Sequence, residues 1–205
     1  MPGRLFLDMT GAALAEHLGL DAGDVGGDTP RQNIAPGQQI ITWTTDGLSH
    51  MRWGIIPVGR VNARGRPVME TLINARSETV FDKSAYEGVG RAVIPVHGWY
   101  EWTGEKRRKT AWRIRPRDEG LLYFAAITDI WKAPGGLTVP QVATVTCAPN
   151  TDVAPIHHRM GVLLRCEDVP LWLQGSDEEV APLMVPWPKG LLHIEEAKGV
   201  DWDGA

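Results

Sequence analysis

Glycine and proline divide the apolar part of this chain into short pieces. The 205 residues include 23 Gly and 15 Pro. Between these breakers lie runs rich in Val, Ile, Trp and Thr, the composition of strands. Such runs occupy 39–45, 51–56, 91–96, 111–115, 121–127, 142–147 and 160–164. Helical signals are fewer. Residues 10–20 carry Thr10 as a cap, Leu14 and Leu18 one turn apart, and Gly19 as a stop. A second helix is expected over 77–87, capped by Ser77, with Val80, Phe81 and Ala85 turned inward. Shorter helices are expected at 168–173 and 177–184, the latter interrupted by Pro182. The stretch DAGDVGGDTP (21–30) reads as a flexible loop, and the basic run GEKRRK (104–109) falls where a hairpin tip belongs. The expected fold is α+β, a mostly β single domain over residues 1–205.

Bulk composition narrows the function classes. Hydrophobic residues make up 43% and charged residues 22%, enough apolar surface for a real core. Nine Trp against three Phe supply large π-faces that suit a binding surface as well as a core. A formal net charge of -4 argues against strong non-specific DNA binding by the whole chain. Arg52, Arg60, Arg64, Arg66, Arg76 and Arg91 allow a local basic groove, or simply solvated surface. Cys147 and Cys166 are singletons without ligand-spaced partners, so neither a disulfide framework nor a metal site is expected. No apolar run approaches the ~18 residues of a membrane span, so the expectation is a cytoplasmic protein with no membrane partner.

Three polar islands interrupt this pattern: NARSE (74–78), GWYEW (98–102) and APIHHRM (154–160). Each sets one side chain, Asn74, Glu101 or His157, beside aromatic or apolar residues, and an amide, a carboxylate and an imidazole are the parts of general acid–base sites. In an extended GWYEW, Trp99 and Glu101 share one face while Tyr100 and Trp102 take the other. A carboxylate beside Trp at the end of a buried strand is raised in pKa by desolvation. The alternative is an edge-strand glutamate paired with Lys or Arg. An extended APIHHRM points His157 and His158 to opposite faces, so one of them reaches a given site, or the histidines are structural or solvated. Arg159 beside them adds an anion contact. Asn74 and Arg76 stand at a strand-to-helix junction able to hold an anion, unless Ser77 merely caps the helix. Pro36 and Trp53, each near a turn, could stack on or wedge under bases, with core packing as the alternative.

Taken in order, MPGR, NIAPGQ, WGIIP, INARSETV, RAVIPVHGWYEW, FAAITDIW and TCAPNTDVAPIHHRM resemble the SRAP (SOS response-associated peptidase) family. The resemblance is strongest over 1–173, leaving 174–205 as a C-terminal extension packing on the domain. It implies twisted, barrel-like antiparallel sheets with a few short helices, and a monomer without a cofactor. It also implies a positively charged cleft for single-stranded DNA with abasic sites. In such proteins the initiator methionine is removed. The exposed N-terminal cysteine then closes a thiazolidine crosslink on the aldehyde of the abasic sugar. The catalytic positions carried over are Pro2, Asn74, Glu101 and His157, and the DNA-binding positions are Arg4, Pro36, Trp53, Arg76, Thr146 and Arg159.

The chain departs from the family where Pro2 stands in place of that cysteine. Proline has no thiol, so no thiazolidine can close. Two readings follow. One is a non-catalytic module that binds single-stranded or abasic DNA and shields the damage. The other is altered chemistry: with Met1 removed, the secondary amine of Pro2 can condense with the aldehyde to an iminium, and the protein becomes an abasic-site lyase. An α-amino group has a reference pKa of ~7.7–8.0, so a neutral fraction exists near pH 7. Smaller departures are Ala92, where cysteine is frequent, and Gly161, where proline is. A protease acting on other proteins is the weakest reading, because no Ser/His/Asp or Cys/His set is present.

Overall fold

Strands form where β-branched and aromatic residues alternate, and they are joined by turns that Gly, Pro and Asx residues permit. The computed structural model describes residues 2–57, 71–82, 86, 88–105, 108–132 and 135–203. The chain runs β1 (Arg4–Leu7), α1 (Gly11–Leu18), β2 (Arg31–Ile34), β3 (Gln39–Thr44), β4 (Gly47–Trp53), β5 (Asn74–Arg76) and β6 (Gly90–Val96). It continues through β7 (Gly98–Thr103), β8 (Thr110–Pro116), β9 (Leu122–Lys132) and β10 (Thr138–Cys147). The last elements are β11 (Met160–Gly161), β12 (Leu163–Leu164), α2 (Val169–Gln174), α3 (Asp177–Val180) and β13 (Leu192–Glu196).

Among the described residues these strands make two sheets. The smaller has the order β13-β8-β7-β1-β2. The larger runs β11-β10-β4-β3-β6-β9-β12 and closes on itself, because β9 pairs with β10 as well as with β6. Closure removes open edges and gives the barrel-like form that the family resemblance implied. Pairing is antiparallel except where β10 runs parallel to β4 and β5. The core lies inside the larger sheet and between the two, where Trp99 meets Phe124 edge to face at 5.6 Å. The change of sheet between β6 and β7 takes one residue, His97, whose N–H donates to the Phe6 carbonyl (3.0 Å). Gly98 is required just after it, since a Cβ there would stand 2.1 Å from the Ile114 carbonyl oxygen and 2.6 Å from the Phe6 ring.

Several expectations need correction. No helix forms over Ser77–Asp82. The Ser77 N–H is taken by the Thr146 carbonyl of β10, and Thr79 and Asp82 donate back three residues, which makes successive tight turns. Val80 is buried and Phe81 partly so, as expected, while Ala85 lies outside the described residues. The run 160–164 is two strands, β11 on β10 and β12 on β9. Strands β1, β2 and β13 were not anticipated. The loop at 21–30 contains a 3-10 turn, Gly23–Val25, that buries Val25 completely. Helix α1 begins and ends as its caps dictate: Thr10 Oγ1 accepts from the Ala13 N–H, and Gly19 closes it at φ 67°. Pro182 ends α3 in a 3-10 turn, Ala181–Leu183. The GEKRRK run does join two strands, β7 and β8, with residues 106–107 outside the described set, as are Arg60, Arg64 and Arg66. Arg91 is a strut, donating to the Trp172 carbonyl (2.7 Å) and pairing with Asp177 (2.6 Å). Among the described residues, no helix is long and apolar enough to cross a membrane.

The C-terminal residues pack on the smaller sheet. β13 pairs with β8, Asn33 Nδ2 donates to the Asp201 carbonyl (2.9 Å), and Trp202 lies against Tyr100 and Trp102. Because Gly98 has no room for a methyl group, Gly98→Ala is expected to destabilise the fold by about 1–3 kcal/mol or more. Urea denaturation checks this, and an unchanged midpoint would contradict the close approach.

Candidate functional site

The amino-terminal residues enter the molecule as a central strand. β1 lies between β2 and β7, with Arg4 opposite Tyr100 and Leu5 opposite Trp99. Carried one residue further, this register sets Gly3 across from Glu101. Pro2 is buried. β7 is flanked on both sides, so Glu101 is not the edge-strand residue of the alternative reading; it is 3% exposed. The alternation across GWYEW is as expected. Trp99 points to Phe124 in the core, while Tyr100 packs on Phe6 and Trp202 on the opposite face. Burial raises the Glu101 carboxyl above its ordinary range, opposed by the positive charge of the amino terminus. The Trp99 indole N–H adds a weaker opposing contact outside ordinary hydrogen-bond geometry.

Asn74 comes from the larger sheet. β5 pairs in parallel with β10, with Asn74 opposite Thr144, Ala75 opposite Val145 and Arg76 opposite Thr146. The Thr144 hydroxyl donates to Asn74 Oδ1, which turns the other end of the amide outward, and Asn74 Nδ2 donates to the Pro2 carbonyl (3.2 Å). Thr144 is fully buried and was not singled out from the sequence. Its alternation with Thr146 in VATVTC, two residues apart on one face of a strand, was the available signal.

The histidine arrives on a loop that Asn150 organises. Asn150 Oδ1 accepts from the N–H groups of Asp152 (3.1 Å) and Val153 (3.0 Å), and its Nδ2 donates to the Trp187 carbonyl (3.0 Å). The loop is turned rather than extended, so His157 and His158 do not oppose each other. Their rings stack at 4.3 Å. His157 is half-buried and His158 exposed. His157 Nδ1 lies 3.0 Å from the Arg159 backbone nitrogen and 3.1 Å from its carbonyl oxygen, so the Arg159 backbone holds this edge of the ring in either tautomer. Burial lowers the His157 pKa, and the charge of the amino terminus lowers it further. The same terminal charge thus acts on Glu101 and His157. Asn74 meets the amino-terminal segment at the Pro2 carbonyl, and Glu101 lies on the strand paired with that segment.

Arg159 is buried, at 9% exposure, and its charge is already engaged. Both terminal nitrogens donate to the carboxylate of Glu78, at 2.8 Å for Nη2 and Oε2, and Nη2 also donates to the Thr146 carbonyl. The Arg159 fork holds the Glu78 carboxyl far below its usual range, at about 2. Glu78 was quoted in NARSE but given no role, and nothing in its spacing points to Arg159, 81 residues away. Thr146 is buried, with its hydroxyl donating to the Ala75 carbonyl (3.1 Å). Arg76 is exposed, and Arg4 is half-buried.

Trp53 is in the core, fully buried, with its indole N–H donating to the Ile73 carbonyl (3.1 Å). Base stacking on Trp53 is therefore corrected to a supporting role. Its backbone accepts from the Gly37 N–H (2.7 Å) and donates to the Gln38 carbonyl (2.9 Å). These bonds hold a turn with half-buried Pro36 at its second position and Gly37 at φ 89°, a conformation that favours glycine. Two cavities of about 360 and 410 Å³ lie on the other face of the smaller sheet, around Arg113, and are lined by none of these residues. Among the described residues no group of His, Cys, Asp and Glu could hold a metal ion.

Two outcomes are expected. Trp53→Ala removes a core side chain and costs about 3–5 kcal/mol of stability by thermal or urea unfolding. The Glu78 contribution carries a sign. Its folded-state pKa is depressed, so its stabilisation is present above the unfolded value near 4.5 and is lost as pH falls towards about 2. Glu78→Gln should flatten the stability–pH curve over that interval while leaving its slope near neutrality unchanged.

The family model described as SOS response associated peptidase (SRAP) matches residues 1–199. The chain is 33% identical over 158 residues to abasic site processing protein YoqW of Bacillus subtilis, covering 73% of this chain and 69% of that protein. It is 29% identical over 177 residues to abasic site processing protein HMCES of Gallus gallus, covering 75% of this chain and 51% of the longer relative. A crystal structure of a Bacteroides thetaiotaomicron protein superposes with a TM-score of 0.83 at 21% identity, covering 96% of this chain and 92% of that one. A phage-related protein of Bordetella bronchiseptica does so with a TM-score of 0.72 at 23% identity, covering 96% and 94% of the two chains. The matches in sequence and fold span nearly the whole chain: it belongs to the SRAP family.

Proposed function

We propose that this protein processes abasic sites in single-stranded DNA through its amino-terminal residue, and that Pro2 makes the reaction an iminium-based lyase rather than a thiazolidine crosslink. The observation that carries this reading is the meeting of the amino-terminal segment with Asn74, Glu101 and His157 around a buried carboxylate. The abasic-site processing names of its relatives support the substrate class.

With Met1 removed, the Pro2 nitrogen adds to the aldehyde carbon of the ring-opened sugar. The nitrogen loses its proton and the aldehyde oxygen gains one. Glu101 carries that proton between them, and its protonated form then releases the hydroxyl as water, leaving the iminium. A carboxyl raised by burial keeps its acid form closer to neutrality, which suits proton donation. Loss of the proton α to the iminium expels the 3′ phosphate, with neutral His157 as the base. In the tautomer whose Nδ1–H donates to the Arg159 carbonyl (3.1 Å), Nε2 presents the lone pair that takes this proton. Asn74, oriented by Thr144, fixes the amino-terminal backbone through the Pro2 carbonyl. Exposed Arg76, half-buried Arg4 and the Pro36 turn supply contacts along the strand, and buried Trp53 and Thr146 hold the elements that carry them.

Borohydride trapping on an abasic oligonucleotide tests the reading. Untagged protein, shown by intact mass to lack Met1, should give a trapped adduct. Pro2→Ala should retain much of it because an α-amine remains, and an amino-terminal tag should abolish it. Glu101→Gln and His157→Ala should each slow the reaction by about 10²–10⁴-fold. Equal reaction of tagged and untagged protein would exclude Pro2 as the nucleophile. Salt-sensitive strand binding without any trapped or cleaved product would instead identify the non-catalytic shielding module.

A further inference from the structure

Arg159 is built as an anion site whose occupant is part of the chain itself. Its guanidinium is walled in by β10, with Nη2 on the Thr146 carbonyl, and its side chain is 11% exposed. Glu78, its partner, is 54% exposed and stands between the guanidinium and solvent. Arg159 Nε is buried and without a hydrogen-bond partner among the described residues, so the donor set is not exhausted by the carboxylate. Arg76 lies two residues before Glu78 and is itself exposed.

We propose that Glu78 is an exchangeable placeholder, displaced from the Arg159 fork by a phosphate of the bound strand. This rests on the single-strand reading above, which already gives Arg159 an anion contact with the strand, and adds the intramolecular competitor for that contact. The chemistry is an exchange of one anion for another. A buried cation left alone is costly, so the fork keeps a partner at every stage. Glu78, already half in water, regains its hydration when released. A phosphodiester offers the same pair of oxygens to the planar fork as a carboxylate does. Because the carboxylate competes from within the chain, a free anion at low concentration displaces it poorly. A strand already held at the amino-terminal site competes at high effective concentration. The exchange also touches the chemistry, since the Arg159 backbone is what holds His157 Nδ1.

The test is a mutant cycle read by strand binding and by phosphate. Glu78→Gln should tighten binding of a single-stranded oligonucleotide by at least about fivefold. It should also steepen the salt dependence by roughly 0.7 in log–log slope, the value of one phosphate contact on a single strand. In an Arg159→Gln background the same change should do nothing. Glu16→Gln, on the exposed face of α1, controls for net charge. Inorganic phosphate should raise the melting temperature of the Glu78→Gln protein and leave the wild type and the double variant unmoved. Should Glu78→Gln fail to fold, Glu78→Asp, which withdraws the carboxylate by one methylene, should show a smaller gain of the same sign. An equal gain from Glu16→Gln, or weaker binding by Glu78→Gln, would overturn the exchange and leave the pair a structural strut. If neither protein binds the strand but phosphate still stabilises Glu78→Gln alone, the exchange stands and the single-strand reading falls. No response to either ligand would overturn both.

Discussion

Hydrogen bonding along β10 is the constraint on which the site depends. One strand pairs Trp53 opposite Val142, Asn74 opposite Thr144, Arg76 opposite Thr146 and Met160 opposite Cys147. Three segments far apart in the chain are thereby set along one strand, at about 3.3 Å per residue. A shift of one residue in the β5–β10 register would turn Asn74 away from the amino terminus and from Thr144. Closure of the larger sheet through β9 and β10 makes such a slip costly, because every neighbouring pair would have to move with it.

The second sheet brings the remaining half. Insertion of β1 beside β7 delivers the amino-terminal segment to Glu101, and the β6–β7 crossing at Gly98 delivers Glu101 to the core side. Glu101 is buried and His157 half-buried before any ligand arrives, so their electrostatics are set by the fold. The carboxyl is pushed up by desolvation, the imidazole is pushed down, and the terminal charge acts on both. A carboxyl pushed up and an imidazole pushed down by their surroundings are groups suited to exchanging protons with a ligand.

Charge elsewhere follows the opposite rule. Of the arginines that read as a possible basic groove, Arg91 is committed to α2 and α3 and Arg52 to the Gly54 carbonyl (2.7 Å), and Arg159, read as an anion contact, is held by Glu78. Buried guanidinium groups need partners, and the fold supplies them internally. Arg76 stays exposed at the same end of β5. A single anion of the chain, Glu78, therefore stands where the island NARSE meets the island HHRM.

Local pattern carried much of this into the sequence. Strands β3, β6, β8, β9 and β10 are legible from β-branched and aromatic runs between Gly and Pro, and α1 from its caps. The facing of Trp99 and Glu101 follows from period-two alternation alone. The ordered islands identify the family, whose model spans residues 1–199. Tertiary structure decided the rest. The segment after Ser77 is turned and not helical because β10 takes the Ser77 N–H, and Trp53 is core because β4 runs into the closed sheet. Thr144 and Glu78 gained roles through partners 70 and 81 residues away. Propensity and periodicity are properties of neighbours in the chain, whereas a hydrogen bond across β10 or to a buried guanidinium exists only once distant segments share a register.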